Sequence, residues 1–187
     1  MAQTPSNMLP LGTLAPEFSL IDKVSNTVKT YMDIKGNKGT VVMFICNHCP
    51  YVLHVIEEII RISNDYRVEG IGFVAISSND VEKYPADAPD KMTEFAYQNK
   101  FSFPYLYDES QEIAKNYDAA CTPDFYLFNQ QDKLIYRGQL DDSRPKNNIS
   151  LSGTDLRNAI DSLLYNRVIN NEQKPSIGCN IKWKKSV

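Results

Sequence analysis

The stretch from Val41 to Tyr51 reads Val-Val-Met-Phe-Ile-Cys-Asn-His-Cys-Pro-Tyr, and it restricts the fold more than any other segment. Thr40 to Ile45 is continuous and rich in β-branched residues, the pattern of a strand buried on both faces. After Cys49 the period changes. Val52 and Leu53, Ile56, and Ile59 and Ile60 recur at helical spacing, with His54, Glu57, Glu58 and Arg61 on the other side. A buried strand must therefore become a helix across two cysteines separated by two residues. In an open α/β sheet that junction lies at the carboxyl edge, where binding and catalytic sites are built.

The other elements fit around this unit. Phe18 to Leu20 and Val28 to Tyr31 read as short strands around a Ser25-Asn26 turn, an N-terminal β-hairpin. Ile71 to Ile76 is a second buried strand. Met92 to Asn99 and Glu109 to Tyr117 read as helices, and Phe125 to Phe128 with Leu134 to Arg137 as a hairpin. Gly153 to Tyr165 is a last amphipathic helix. The order predicts an α/β fold: a mixed central β-sheet flanked by helices on both faces. The 187 residues are read as one domain, with a core of about 11–165 and an irregular polar tail over 166–187.

Composition excludes several functions. Hydrophobic residues at 42% and charged residues at 23% match a globular chain, so disorder is excluded. A net charge of −3 without a basic stripe argues against nucleic acid, and no apolar run is long enough to cross a membrane. Met1 to Pro10 has neither a positive region nor an apolar core, which gives a cytoplasmic expectation. Four cysteines, at 46, 49, 121 and 179, are too few and too dispersed for a disulfide-stapled scaffold. The close pair is therefore expected to do chemistry.

A helix N-terminus has unpaired amides and a positive dipole end, which stabilise a thiolate there and lower its pKa from about 8.5. Cys46 is expected to be the exposed nucleophile. Cys49, one turn further and more buried, is expected to resolve the mixed disulfide. Pro50 falls in the first turn, where a missing amide hydrogen costs little. His48 should favour the reduced, thiolate-bearing form; the bland alternative is a polar residue at a helix start. His54 reads as part of a solvated face.

Cys46-Asn47-His48-Cys49 between strand and helix, followed about seventy residues later by Thr122-Pro123-Asp124-Phe125-Tyr126-Leu127, resembles the thioredoxin-like superfamily. Gly12-Thr13-Leu14-Ala15-Pro16-Glu17-Phe18 resembles the opening of its redoxin branch, the alkyl hydroperoxide reductase and thiol-specific antioxidant family. Tyr136-Arg137-Gly138 and the stretch from Pro175 to Lys184 resemble a cytoplasmic subgroup of thioredoxin family proteins. The resemblance implies a cis Thr122-Pro123 bond facing the cysteines and docking an extended substrate segment. It also implies a thiol or disulfide substrate, in particular a protein, with electrons from a thioredoxin or glutathione system and no metal or organic cofactor.

The departures are informative. Thioredoxin has Trp before its first Cys and Gly-Pro between the two; Ile45 and Asn47-His48 stand here. The peroxidase pattern, Pro-x-x-x-Thr-x-x-Cys, puts its thiol on Cys49, its Thr on Cys46 and its Pro on Val42, while its Arg falls near Thr122. Only the thiol is kept. A peroxidase needs donors and a cation at the developing oxyanion, so dithiol exchange is favoured over peroxide reduction. Arg137 reads as the surface end of a strand.

Two further readings compete. Cys46, Cys49, Cys121 and either His48 or Cys179 supply four ligands for structural zinc, although such sites usually show two paired knuckles. A non-catalytic thioredoxin-like binding module is the other. Cys121 and Cys179 remain auxiliary thiols: Cys121 as a regulatory thiol or a small buried residue, Cys179 as a resolving thiol if the tail folds over the pair or as incidental. Tyr84 to Asp90 either walls the site or connects to a helix capped near Asp90. Asp141 to Pro145 reads as a solvated turn.

Overall fold

The structure, a computed structural model, describes residues 3–185. In chain order its elements are β1 (Gln3–Pro5), β2 (Ser19–Asp22), β3 (Val28–Thr30), α1 (Tyr31–Ile34), β4 (Gly39–Phe44), α2 (Pro50–Arg67), β5 (Ile71–Ser77) and α3 (Pro89–Gln98). There follow β6 (Tyr105–Tyr107), α4 (Glu112–Asn116), β7 (Cys121–Thr122), β8 (Asp124–Asn129), β9 (Leu134–Gly138), α5 (Thr154–Leu164) and β10 (Ile177–Asn180). Seven strands form a mixed sheet in the order β3-β2-β6-β5-β4-β8-β9. Strands β4 and β6 run parallel to β5 on its two sides, and β8 runs antiparallel to β4.

Strand β4 is central because every one of its residues can be buried. Val41, Met43 and Ile45 point to a layer shared with α2, α3 and α5. Val42 and Phe44 point to the opposite layer, which α1 and α4 cover. Period-two alternation with apolar residues on both faces is what a central strand between helices requires. The second layer is held by aromatic edges: Phe44 lies 5.5 Å from Tyr117 and 5.9 Å from Tyr126, ring centre to ring centre. Helix α2 is tied to α5 through the buried Glu58, whose Oε1 accepts from Arg157 Nε at 2.9 Å and Nη2 at 2.8 Å.

The expected hairpins form: β2 pairs with β3, and β8 with β9, both antiparallel. Four expectations are corrected. The tail is not irregular throughout, because β10 pairs antiparallel with both β1 and β7 in a second, three-stranded sheet. Its Cys179 and Ile181 are buried on alternate positions, a strand period too short to show within a polar tail. The turn after β9 is only partly solvated: Asp142 is exposed, but Asp141 is buried, and its Oδ2 accepts the amides of Ser152 and Gly153, both at 2.7 Å. His54 is likewise not a bystander on a solvated face, since its Nε2 lies 2.8 Å from the Ser143 hydroxyl of that turn. Helix α3 begins at Pro89 behind Ala88, which makes no side-chain cap, so Asp90 lies inside the first turn.

No helix among the described residues is long and apolar enough to cross a membrane. The Phe44→Ala variant should lose about 3–5 kcal/mol in chemical denaturation, as large aromatic deletions in packed cores do. A loss below about 1 kcal/mol would show that the aromatic layer does not anchor β4.

Candidate functional site

The site forms where β4 ends. The Ile45 amide still donates to the Ile76 carbonyl at 3.0 Å, and the chain then bends through Cys46, Asn47 and His48. Cys49 is the N-cap of α2, in extended backbone (φ −72°, ψ 121°), with Pro50 as the first helical residue. The helix thus starts after the second cysteine. Its positive end addresses Cys49, and Cys46 lies on the approach to it.

The expected exposure of Cys46 is not found. Cys46 is 1% exposed and Cys49 0%. Three segments enclose them. The first is Thr122-Pro123, whose peptide bond is cis. The Thr122 hydroxyl lies 3.4 Å from Cys46 Sγ, and the Cys49 thiol donates to the Thr122 carbonyl at 3.1 Å. The second is β10, in which Cys179 stands opposite Thr122. The third is the loop before α3.

That loop walls the site through Asp87, a fully buried carboxylate. Asp87 accepts from the Asn47 amide at 2.9 Å and from Asn79 Nδ2 at 2.7 Å. His48 Nδ1 stands 2.8 Å from its Oδ2, an ionic contact outside the N–H direction of a true hydrogen bond. The His48 ring also stacks on Tyr84, the planes 5° from parallel. Asn47 donates to the Ala86 carbonyl and accepts from the Tyr105 hydroxyl. Asp87, Tyr84 and Tyr105 were not singled out in the sequence; only the Pro-flanked loop at 84–90 signalled the first two.

Cys46 Sγ, His48 Nδ1 and an Asp87 oxygen all lie within 4.8 Å of one another. Among the described residues the four-ligand set of the competing zinc reading does not assemble. Cys121 is directed elsewhere, toward the carbonyls of Pro123 at 3.7 Å and Ser176 at 4.0 Å. Arg137 is not at the pair either: its Nη1 donates to Gln173 at 2.8 Å.

The Redoxin family model matches residues 10–153, most of the chain and all of the segments just described except β10. The chain belongs to the Redoxin family. Among curated proteins no match was found. Solved structures give close likenesses. An uncharacterized conserved protein from Geobacillus kaustophilus is 54% identical, with a TM-score of 0.98 over 100% of this chain and 99% of that one. A hypothetical protein from Sinorhizobium meliloti is 40% identical, with a TM-score of 0.95 over 98% and 100%. The thioredoxin domain of a thiol-disulfide oxidoreductase from Bacteroides vulgatus is 16% identical, with a TM-score of 0.64 over 83% and 99%, which shows a shared fold.

The electrostatics of this redoxin's cysteine pair follow from its enclosure. The Cys46 thiol donates toward Cys49, which pushes Cys49 down to about 5 and Cys46 well up. Burial and the Asp87 charge add to the rise of Cys46, and the Thr122 hydroxyl opposes it. The Cys179 thiol and amide and the Val52 amide also face the Cys49 sulfur, although none is a standard cap bond. A Cys49 thiolate forfeits its bond to the Thr122 carbonyl, which opposes part of this lowering. The two thiols act as one acid: the first proton leaves easily, and the second is held by the charge already present. Burial pushes the Cys121 thiol far up.

Beside the cis proline, burial raises the Asp124 carboxyl to about 8. Its Oδ2 accepts from the Tyr126 hydroxyl at 3.0 Å, and the Phe125 amide and the Ser6 and Ser176 hydroxyls oppose part of the rise. The folded protein keeps this proton above the ordinary value of 3.8, where the unfolded chain releases it. The group's contribution is therefore whole below about pH 4 and declines as pH rises through about 8. Thermal melts should show stability lost between pH 5 and pH 9, and Asp124→Asn should flatten that decline. Parallel declines in the two proteins would mean that Asp124 is not the titrating group.

Proposed function

We propose that this protein is a thiol–disulfide oxidoreductase whose Cys46–Cys49 pair passes two electrons to a disulfide substrate. The observation that carries this reading is the placing of both cysteines at the head of α2 against the cis Thr122-Pro123 backbone, Cys46 Sγ 3.4 Å from the Thr122 hydroxyl and Cys49 Sγ 3.1 Å from its carbonyl. Cys46 is the attacking sulfur, since it lies beside the partly exposed Asn47 and His48, whereas Cys49 is enclosed by Thr122 and Cys179. As Cys46 attacks, Cys49 takes its proton. One substrate sulfur leaves as a thiolate and the other is held in a mixed disulfide with Cys46. Cys49 then attacks Cys46 Sγ, releases the second substrate thiol, and leaves a Cys46–Cys49 disulfide. The pair is oxidised by two electrons and the substrate disulfide is reduced to two thiols.

His48 tunes the pair from its place between Tyr84 and Asp87, and Thr122-Pro123 docks substrate. A protein disulfide is the expected substrate, a thioredoxin or glutathione system the electron donor, and the cytoplasm the compartment, because reduced thiols persist there. Docking of a protein requires the cover over the sulfurs to move.

Cys49→Ser should trap a mixed disulfide through Cys46 when mixed with a disulfide-bonded protein, and Cys46→Ser should not. Both variants should lose at least about 100-fold in disulfide reduction, the scale on which loss of a catalytic group is felt. If both keep full activity, or if the wild type consumes peroxide faster than it reduces disulfides, the reading is wrong. Easy ionisation favours the dithiol over the disulfide at neutral pH, so the potential should lie above the roughly −270 mV of thioredoxin. Equilibration in glutathione buffers measures it; a value at or below that mark would remove His48 and the shared proton as tuning devices.

A further inference from the structure

The sheet edge at Thr122 is already occupied. Strand β10 pairs antiparallel with β7, with Cys179 in register with Thr122 and Asn180 with Cys121. The approach is closer than side chains would permit: a Cβ on Gly178 would stand 2.0 Å from the Thr122 carbonyl oxygen and 3.2 Å from the Pro123 nitrogen. Glycine at 178 therefore lets the tail lie directly on the cis-proline backbone. The strand is fixed from its other side by β1, where Gln3 pairs with Cys179 and Thr4 with Gly178. Further along the tail, the Asp80 amide donates to the Lys182 carbonyl at 2.8 Å, and the Lys182 amide to Asn79 Oδ1 at 2.8 Å. The tail is thus built into the fold at several points.

This placement brings a third sulfur to the pair. The thiol and the amide of Cys179 both face Cys49 Sγ, on which Cys46 also converges. Cys49 stands between two sulfurs, one from its own bend and one from a strand lying where an extended disulfide-bearing segment would pair.

We propose that Cys179 is a third redox thiol, held by β10 as a built-in substrate, and that Cys49 exchanges its disulfide between Cys46 and Cys179. The proposal rests on the dithiol reading above. After substrate reduction the chain carries a Cys46–Cys49 disulfide. Cys179 sulfur attacks Cys49 Sγ, the Cys49–Cys179 bond forms and the Cys46–Cys49 bond breaks. The electron pair leaves on Cys46, which takes up the proton Cys179 gives up. No net oxidation occurs. The exchange ties β10 covalently to the head of α2, so the docking edge stays closed until a reductant opens that bond.

The test uses the full chain with Cys121→Ser, alone and combined with Cys46→Ser or Gly178→Ala. Each is equilibrated with oxidised and reduced glutathione, alkylated, and digested with trypsin without reduction. Cleavage leaves Cys46 and Cys49 on peptide 39–61 and Cys179 on peptide 168–182. Mass spectrometry should find the two peptides linked as the main oxidised product of the Cys46→Ser protein, and as a measurable share beside the internal Cys46–Cys49 disulfide when Cys46 is present. Gly178→Ala should lower the linked share at least tenfold while the Cys46–Cys49 disulfide still forms and the circular-dichroism spectrum and thermal transition stay those of the parent chain, which shows that the protein has folded. An oxidised Cys46→Ser protein carrying only glutathione on Cys49, with no link to 168–182, overturns the proposal and leaves the dithiol reading standing. If chains with Cys46 intact form neither disulfide, the dithiol reading itself has failed.

Discussion

The structure depends on the contact between the Cys49 sulfur and the Thr122 carbonyl. That bond joins the head of α2 to the segment entering β8, two pieces of chain that are 73 residues apart. It is possible because β4 and β8 are antiparallel neighbours in register from Gly39 opposite Asn129 to Phe44 opposite Asp124. The pairing brings the end of β4 and the start of β8 to one edge of the sheet, so the residue beyond each strand meets the other. A shift of one residue would turn Val41 and Met43 out of one core layer and Phe44 out of the other. The same register that fills both layers therefore sets the sulfurs against Thr122.

Enclosure gives the pair its chemistry. A charge on sulfur in a dry site is unfavourable unless donors surround it. Here the donors are the other cysteine, the Thr122 hydroxyl, and the amide and thiol of Cys179. Each holds charge only while it stays in place, so moving β10 aside for a substrate also removes donors from Cys49. Access and thiolate stabilisation are thereby opposed. Covered, Cys49 ionises readily while Cys46 holds its proton; in the proposed reaction, uncovering them leaves Cys49 to rely more on the helix end and on Cys46.

Much of this was legible in the sequence because the signals were local. The buried strand, the change to helical period after Cys49 and the two hairpins each lie within about ten residues. The Thr122-Pro123 pairing with the cysteines came from a resemblance that spans the chain. What the sequence hid was long-range. Nothing in Ser176-Ile177-Gly178-Cys179 marks a strand until β1 and β7 flank it. The exposure expected of Cys46 failed for the same reason: a tail read as irregular cannot be seen to cover anything. Asp87 was visible only as one acidic residue in a Pro-rich loop, and burial of its carboxylate depends on Asn47 and Asn79 from two different strand ends.

Asp87 shows how the site balances these demands. A buried carboxylate costs several kcal/mol of solvation, which pairing and hydrogen bonds must offset. Its bonds to the Asn47 amide and Asn79 fix the bend between the two cysteines, and its contact with His48 holds that ring against Tyr84. Its charge also pushes the Cys46 thiol upward. A neutral residue would spare Cys46 that penalty, but the bend would lose its acceptor and the His48 ring the carboxylate beside it. In the proposed reaction a protonated Cys46 is tolerable, because Cys49, whose thiol is pushed down, receives its proton as attack begins. The carboxylate that disfavours a Cys46 thiolate thus also keeps the histidine and the bend that carries Cys46 in one arrangement.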